Sequence, residues 1–114
     1  MLTNLKYLQQ MTGNEKEMMK EMIELFLNQL VEARVDFDFL IDSQNWFELS
    51  RLAHKIKSSA LVMGVEQMAD DMKALELLAK EGKDTEKYPD YIARLNTMID
   101  IAEAELRPYL DSCK

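Results

Sequence analysis

Apolar residues recur at spacings of three and four along nearly the whole chain, and breaks in that rhythm divide it into four long segments behind a short one. The short lead-in, Leu2 to Met11, is amphipathic and ends in the turn signal Thr12-Gly13-Asn14. The first long segment starts at Asn14, read as an N-cap with Glu17 three residues on, and carries Met19, Met22, Ile23, Phe26, Leu30, Ala33, Phe37 and Leu40 to about Ile41. In the second, Asn45 and Glu48 have the spacing of a capping box, and the helix continues through His54 to a stop at Gly64. The third runs from Val65 to about Lys80 with Met68, Met72, Leu75 and Leu78 on its stripe, and stops at Gly82. The fourth opens near Thr85, tolerates Pro89 in its first turn, and keeps a stripe through Tyr88, Ile92, Leu95, Ile99, Ala102 and Leu106. Pro108 is expected to kink or end it.

Short connections between helices of similar length force neighbours to run antiparallel. The pattern therefore predicts an all-α fold, an antiparallel up-down-up-down four-helix bundle with a short N-terminal capping helix, as a single domain over residues 1–114. Composition agrees. Apolar residues make up 47% of the 114, enough for one ordinary core, and three glycines and two prolines leave no room for a low-complexity linker. The nine methionines fall mostly on the apolar stripes and read as adaptable core filling rather than as a binding groove.

Charge removes several functions. A net charge of −7 sets the chain against nucleic-acid phosphates and anionic lipid headgroups, so neither nucleic acid nor membrane is an expected partner. No run approaches the roughly 20 apolar residues needed to span a bilayer, and the start "MLTNLKYLQQ" lacks the order of a signal peptide, which makes the cytoplasm the expected compartment. Cys113 is the sole cysteine; it supports no internal disulfide and has no metal-ligand spacing around it.

The stretch "AHKIKSSALVMG", Ala53 to Gly64, holds the only histidine. At about 100° per residue with Leu49 at zero, Leu49, Leu52, Ala53, Ile56, Ala60 and Met63 fall within about 60° and form the core stripe, while His54 lies about 140° away. A core histidine is thereby excluded, although an ordinary solvated one fits the same projection. Phe47, Ser50, His54, Ser58 and Leu61 form a second line at spacings of four, four, four and three. Small serines flank the ring and apolar side chains lie beyond them, the arrangement that docking a partner onto an accessible nucleophile requires. Packing of Phe47 and Leu61 on neighbouring helices is the alternative. Lys57, one turn after His54, can bring its ammonium beside anything attached to the imidazole, where it would stabilise added negative charge and favour the neutral, nucleophilic ring. A solvated helix face explains a lysine there equally well. An idealised hairpin about Gly64 places residues 73–76 level with the histidine, so Lys73 or Glu76 could reach its rim, and puts Gln29 to Arg34 of the first long helix at similar height.

This stretch resembles the histidine-containing phosphotransfer (HPt) domain of bacterial multistep phosphorelays, whose pattern is roughly Ala-His-x-x-Lys-Gly-Ser with a glycine ten residues after the histidine. Ala53, His54, Lys57, Ser59 and Gly64 match in register. Ser58 departs from it, standing where the family usually has glycine; access survives with a small residue, but partner or phosphoryl group would approach more tightly. The resemblance covers the whole chain and implies a phosphocarrier: His54 accepts a phosphoryl group from the aspartate of one response-regulator receiver domain and passes it to another, with Lys57 as the stabilising cation. The expected docking surface is the line of Phe47, Ser50, Ser58 and Leu61 with Lys55 and Ser59 beside it, and Gly64 is expected to be structural. The resemblance also implies no cofactor of the chain's own, Mg²⁺ being held by the partner receiver, no ATP-dependent kinase activity, and a hybrid sensor histidine kinase as a further partner. A monomer is expected, since an obligate dimer would risk covering the docking face.

Other classes fit less well. The dimerisation helix of a sensor kinase carries His-Glu-x-x-x-Pro, but Lys55 and Ser59 occupy those positions here. Ser-His hydrolysis needs an orienting carboxylate and an oxyanion site in a sheltered cleft. A di-iron bundle needs Glu-x-x-His, and Arg51 precedes His54 at that spacing. A helical module that docks a receiver without carrying phosphate is the remaining alternative.

Overall fold

The computed structural model describes residues 2–111, so Cys113 lies outside the described residues. It is all-helical: α1 (Lys6–Thr12), α2 (Lys16–Asp42), α3 (Trp46–Val62), α4 (Glu66–Glu81) and α5 (Tyr88–Asp111), the last entered through a 3-10 turn at Thr85–Lys87. The four long helices pack in cyclic order, α2 against α3 and α5, and α4 against α3 and α5, while α1 lies on α2. Among the described residues no helix is long and apolar enough to cross a membrane.

Four helix ends are built alike. At Gly13, Gln44, Gly64 and Gly82 a residue of positive φ turns the chain. Its N–H donates three residues back, and the next N–H donates five residues back, as in Val65 to Ala60 and Lys83 to Leu78. This device overturns the expected cap at Asn14. Asn14 itself has φ 63°, and its N–H closes α1 on the Gln9 carbonyl, so it is committed to ending one helix and cannot begin the next. Glu15 takes the N-cap position with no side-chain cap. Asn45 does cap α3, accepting from the Glu48 N–H at 3.3 Å. The reciprocal half of a box is absent because the Asn45 N–H goes to Leu40. Pro108 does not end α5, which continues to Asp111. The carbonyl that loses its partner belongs to Ala104, an exposed residue that water can serve.

The apolar stripes meet in one core. Leu49, Ala53, Ile56, Ala60 and Met63 of the expected α3 stripe are buried, with Leu52 at its margin. Each large side chain there, such as Phe37, Ile56 or Tyr88, contributes about 1.5 to 3 kcal/mol relative to exposure. Of the nine methionines, Met63, Met68, Met72 and Met98 are buried, while Met11 and Met18 are exposed. Alanines are buried on both of the closely packed helices α3 and α4, Ala53 and Ala60 on one and Ala69 and Ala79 on the other. The backbones approach closely enough for the short side chain of Ser50 to donate to the Glu76 carbonyl at 3.1 Å. Further along, Trp46 meets Tyr88 edge-on at 5.1 Å, and the Tyr88 hydroxyl donates to the Lys83 carbonyl at 2.7 Å, which ties the start of α3 to the α4–α5 connection.

The N-terminal strand of chain before α1 closes the opposite end. The N–H groups of Leu2 and Thr3 and the Thr3 hydroxyl all donate to the Glu105 carboxylate, and the Asn4 N–H donates to the Met63 carbonyl. Gly64 (φ 68°) lies directly beneath: a Cβ built there would come within 1.9 Å of the Asn4 carbonyl oxygen. Gly64→Ala is therefore expected to lose at least about 3 kcal/mol, combining left-handed backbone strain with a clash against main chain. Gly13→Ala has similar φ and nothing within 4 Å, so it should lose only about 1 to 2 kcal/mol. Urea titrations of the two variants measure the difference, and equal losses would show that the Asn4 contact does not matter.

Candidate functional site

His54 sits mid-way along α3 with its side chain 58% exposed, on the face opposite the buried Ala53–Ala60 stripe. Its Nδ1 lies 2.9 Å from Glu76 Oε2 on α4, and the other oxygen of that carboxylate accepts from Lys57 Nζ at 3.3 Å. Lys57 Nζ is also 3.3 Å from Nδ1. Glu76 and Lys57 are both mostly covered, at 21% side-chain exposure, so the pair is partly shielded from water while the ring beyond it is open. Partial burial pushes the Glu76 carboxyl up, but hydrogen bonds from Lys57 and His54 and the positive charge of Lys57 outweigh it and hold the group below its ordinary 4.5.

An ionised carboxylate only accepts, so Nδ1 must carry its hydrogen toward Glu76. This assigns the tautomer from the network, and leaves Nε2 with the lone pair on the solvent side. Lys57 and the Nδ1–H are thus neighbours through a shared carboxylate, not donor and acceptor to one another.

From the ring an open groove runs over the first half of α3, bordered by Phe39 of α2, Phe47 and Arg51 of α3, and Lys80 of α4. Phe39 and Phe47 are 67% and 70% exposed, large apolar surfaces with no covering element. Lys55 lines this groove and also a second one between α2 and α3, where Gln29, Glu32 and Ser59 lie. The lining of this groove is mixed in charge, with Arg51, Lys55 and Lys80 set among Asp36, Glu48 and Glu76, in a chain whose net charge is −7.

The matching family model spans residues 21–105, from early α2 to late α5, and is that of the Hpt domain. The chain belongs to the Hpt domain family. No curated protein and no solved structure matches it. Hpt domains are phosphocarriers rather than kinases, and they interact with response-regulator receiver domains in phosphorelays.

In this Hpt domain the expected line along α3 is only partly a surface. Phe47, Ser58 and Leu61 are exposed, so the alternative in which Phe47 and Leu61 pack on neighbouring helices does not hold. Ser50 is buried and engaged with the Glu76 carbonyl, because it lies on the flank that α4 covers. Its hydroxyl is spent on that bond from beneath the site, while the residue also lines the floor of the groove beside the ring. The Ser58 hydroxyl turns back to the His54 carbonyl at 3.2 Å, and Leu61 lies beyond the groove. Gln29 and Glu32 face α3 as expected, but Arg34 faces α5, where it binds Asn96 and Asp100. Of the two candidates level with the histidine, Glu76 is the one at the ring, while Lys73 is exposed and makes no ion pair among the described residues. Phe39 was not anticipated; its place on the outward side of α2 gave no signal apart from being a large apolar residue off the core stripe.

A carboxyl held low in the folded state contributes stability above its unfolded value and loses that contribution as pH falls through the folded value. Glu76→Gln is accordingly expected to reduce the loss of unfolding free energy between about pH 7 and about pH 3, leaving in place the loss of like sign from Glu105, which is also held low. Urea titrations at the two pH values check this; an acid-side loss as large as in the wild type would mean that Glu76 is not linked to folding.

Proposed function

We propose that this Hpt domain carries a phosphoryl group on Nε2 of His54, exchanging it with receiver aspartates in a multistep phosphorelay. The supporting observation is the 2.9 Å contact between Nδ1 and Glu76 on a ring that is otherwise open to solvent. In the forward step the Nε2 lone pair attacks the phosphorus of a receiver's aspartyl phosphate in line, the P–Nε2 bond forms, and the P–O bond to the aspartate breaks with the electron pair leaving on the carboxylate. Nδ1 keeps its hydrogen throughout, so the ring becomes a positive phosphoimidazolium beside the Glu76 carboxylate. In the return step a second receiver's carboxylate attacks phosphorus and Nε2 leaves as neutral imidazole. No proton has to move in either direction. Lys57 balances the charge of Glu76, which would otherwise repel the incoming phosphoryl dianion.

The receiver docks over the groove, with Phe47 and Phe39 supplying apolar contact and Lys55 and Arg51 facing its acidic aspartate site; Ser58, Ser59 and Leu61 lie toward the rim. The divalent cation of the transfer belongs to the receiver. We read the chain as one domain, an antiparallel four-helix bundle with α1 as its cap, acting as a cytoplasmic monomer. The cyclic packing of α2 to α5 supports the antiparallel bundle, as does the α3–α4 register, in which Trp46 meets Gly82 and Ser50 meets Glu76.

Incubation with a phosphorylated receiver or a small phosphoramidate, followed by intact mass at neutral and acidic pH, is expected to show one acid-labile phosphoryl group that His54→Gln lacks. Binding of receivers without any transfer would replace this reading with that of a docking module. Glu76→Ala is expected to slow phosphoryl uptake by about tenfold or more, with partial recovery in Glu76→Gln, whose amide oxygen still accepts from Nδ1. Phe47→Ala should slow transfer from a receiver by about tenfold while leaving uptake from the small donor unchanged. Equal effects on both donors would place Phe47 in the chemistry instead of the docking surface.

A further inference from the structure

Lys57, the cation one turn after His54, sits on the Nδ1 side of the ring and is held there by Glu76. A phosphoryl group on Nε2 points the other way. Side chains on an α-helix lean toward its N-terminus, so the ring at position 54 lies over the turn that contains Ser50 and Arg51. The groove that His54 lines agrees: it extends from the ring to Phe47, Ser50 and Arg51. Arg51 is about 60° round the helix from His54 and three residues before it, a spacing at which helical side chains meet.

Arg51 is also uncommitted. Its side chain is 68% exposed, its one ion pair among the described residues is a 3.5 Å contact to Glu48, and its guanidinium hovers 5.9 Å from the Phe47 ring centroid. Exposed pairs of this kind hold a side chain only weakly, so the guanidinium can turn to a stronger anion at little cost. Its planar fork matches two phosphoryl oxygens, which an ammonium cannot do. Lys55 is less well placed: it borders the same groove, but it is about 100° from His54 and also lines the second groove toward α2.

Building on the phosphocarrier reading, we propose that Arg51 binds the phosphoryl group on Nε2 of His54, so that the cation touching its oxygens lies one turn before the histidine instead of one turn after it. The contact neutralises the phosphoryl dianion in the free carrier and lengthens its life between partners. It also leaves Lys57 with the separate task of balancing Glu76.

The test uses the full chain loaded with a small phosphoramidate and no partner protein. Acid-labile phosphate on His54 is followed by intact mass at neutral pH, and the phosphoryl ionisation is followed by ³¹P shift against pH. Arg51→Gln is expected to shorten the phosphohistidine lifetime by about threefold to tenfold, the size of one charge-assisted contact at an exposed site, with Arg51→Lys between it and the wild type. The ³¹P midpoint should move up in Arg51→Gln, because a lost cation favours the protonated phosphoryl group. Lys80→Gln, on the far side of the groove, should change the lifetime by less. An unchanged lifetime and midpoint in Arg51→Gln, or a larger effect of Lys80→Gln, would overturn the assignment while leaving the carrier reading intact. A wild-type chain that takes up no acid-labile phosphate on His54 would defeat the carrier reading and this assignment with it.

Discussion

The close approach of α3 and α4 is the constraint on which the rest depends. It exists because buried alanines on both helices let the backbones come together, and because Ser50 can then bond directly to the Glu76 carbonyl. That bond fixes the height of Glu76 on α4 relative to α3 and brings its carboxylate to the His54 ring. Bulkier residues in the seam would separate the helices, and a carboxylate moved by an ångström or two no longer accepts from Nδ1. The arrangement around His54 is therefore a product of core packing, although the ring itself is largely in water. Gly64 works toward the same end from the other side, since only a residue without a side chain lets the segment before α1 lie across the α3–α4 turn.

Much of this was legible in the pattern of residues. The 3.6-residue rhythm located every long helix, and one helical projection separated the buried face of α3 from the face that carries His54. What it could not do was say which neighbour covers the edges of a face. Ser50 lies about 100° from Leu49, on the boundary, and only the position of α4 makes it a buried anchor. Arg34 was placed at the right height along α2 but on the side that faces α5. Glu76 and Lys73 were equally level with the histidine, and a difference of three residues on α4 decides which one points at it. Asn14 shows the converse limit. Its composition suits an N-cap, but the preceding helix claims it first, and local propensity gave way to the need to satisfy the carbonyls that end α1. Pro108 removes one N–H from the last turns of α5, but the orphaned Ala104 carbonyl is exposed to water and the helix continues.

The charge arrangement suits a carrier better than a catalyst. A reversible carrier must hold the phosphoryl group neither so tightly that it cannot leave nor so loosely that water takes it. On the proposed reading Glu76 keeps Nδ1 protonated, which would make the ring a good leaving group, and Lys57 would prevent that carboxylate from repelling the group about to arrive. The two effects oppose each other and are built from one shared carboxylate. Removing either partner would leave a partly buried charge unbalanced, and so would shift the site toward too little or too much affinity for the phosphoryl group.

Exposure of the ring gives this balance a second property. With His54 more than half in solvent, the attraction between Glu76 and a positive ring is weakened by water in the free protein. In the proposed docking, a receiver seated on Phe39 and Phe47 would exclude that water, and the contacts among His54, Glu76 and Lys57 would strengthen as its aspartate comes within reach. On the proposed reading the apolar surfaces beside the groove would serve the chemistry as well as the affinity, making the stabilisation of a phosphoimidazolium conditional on a docked partner. A carrier built this way needs no lid of its own, because the protein that delivers or collects the phosphoryl group supplies one.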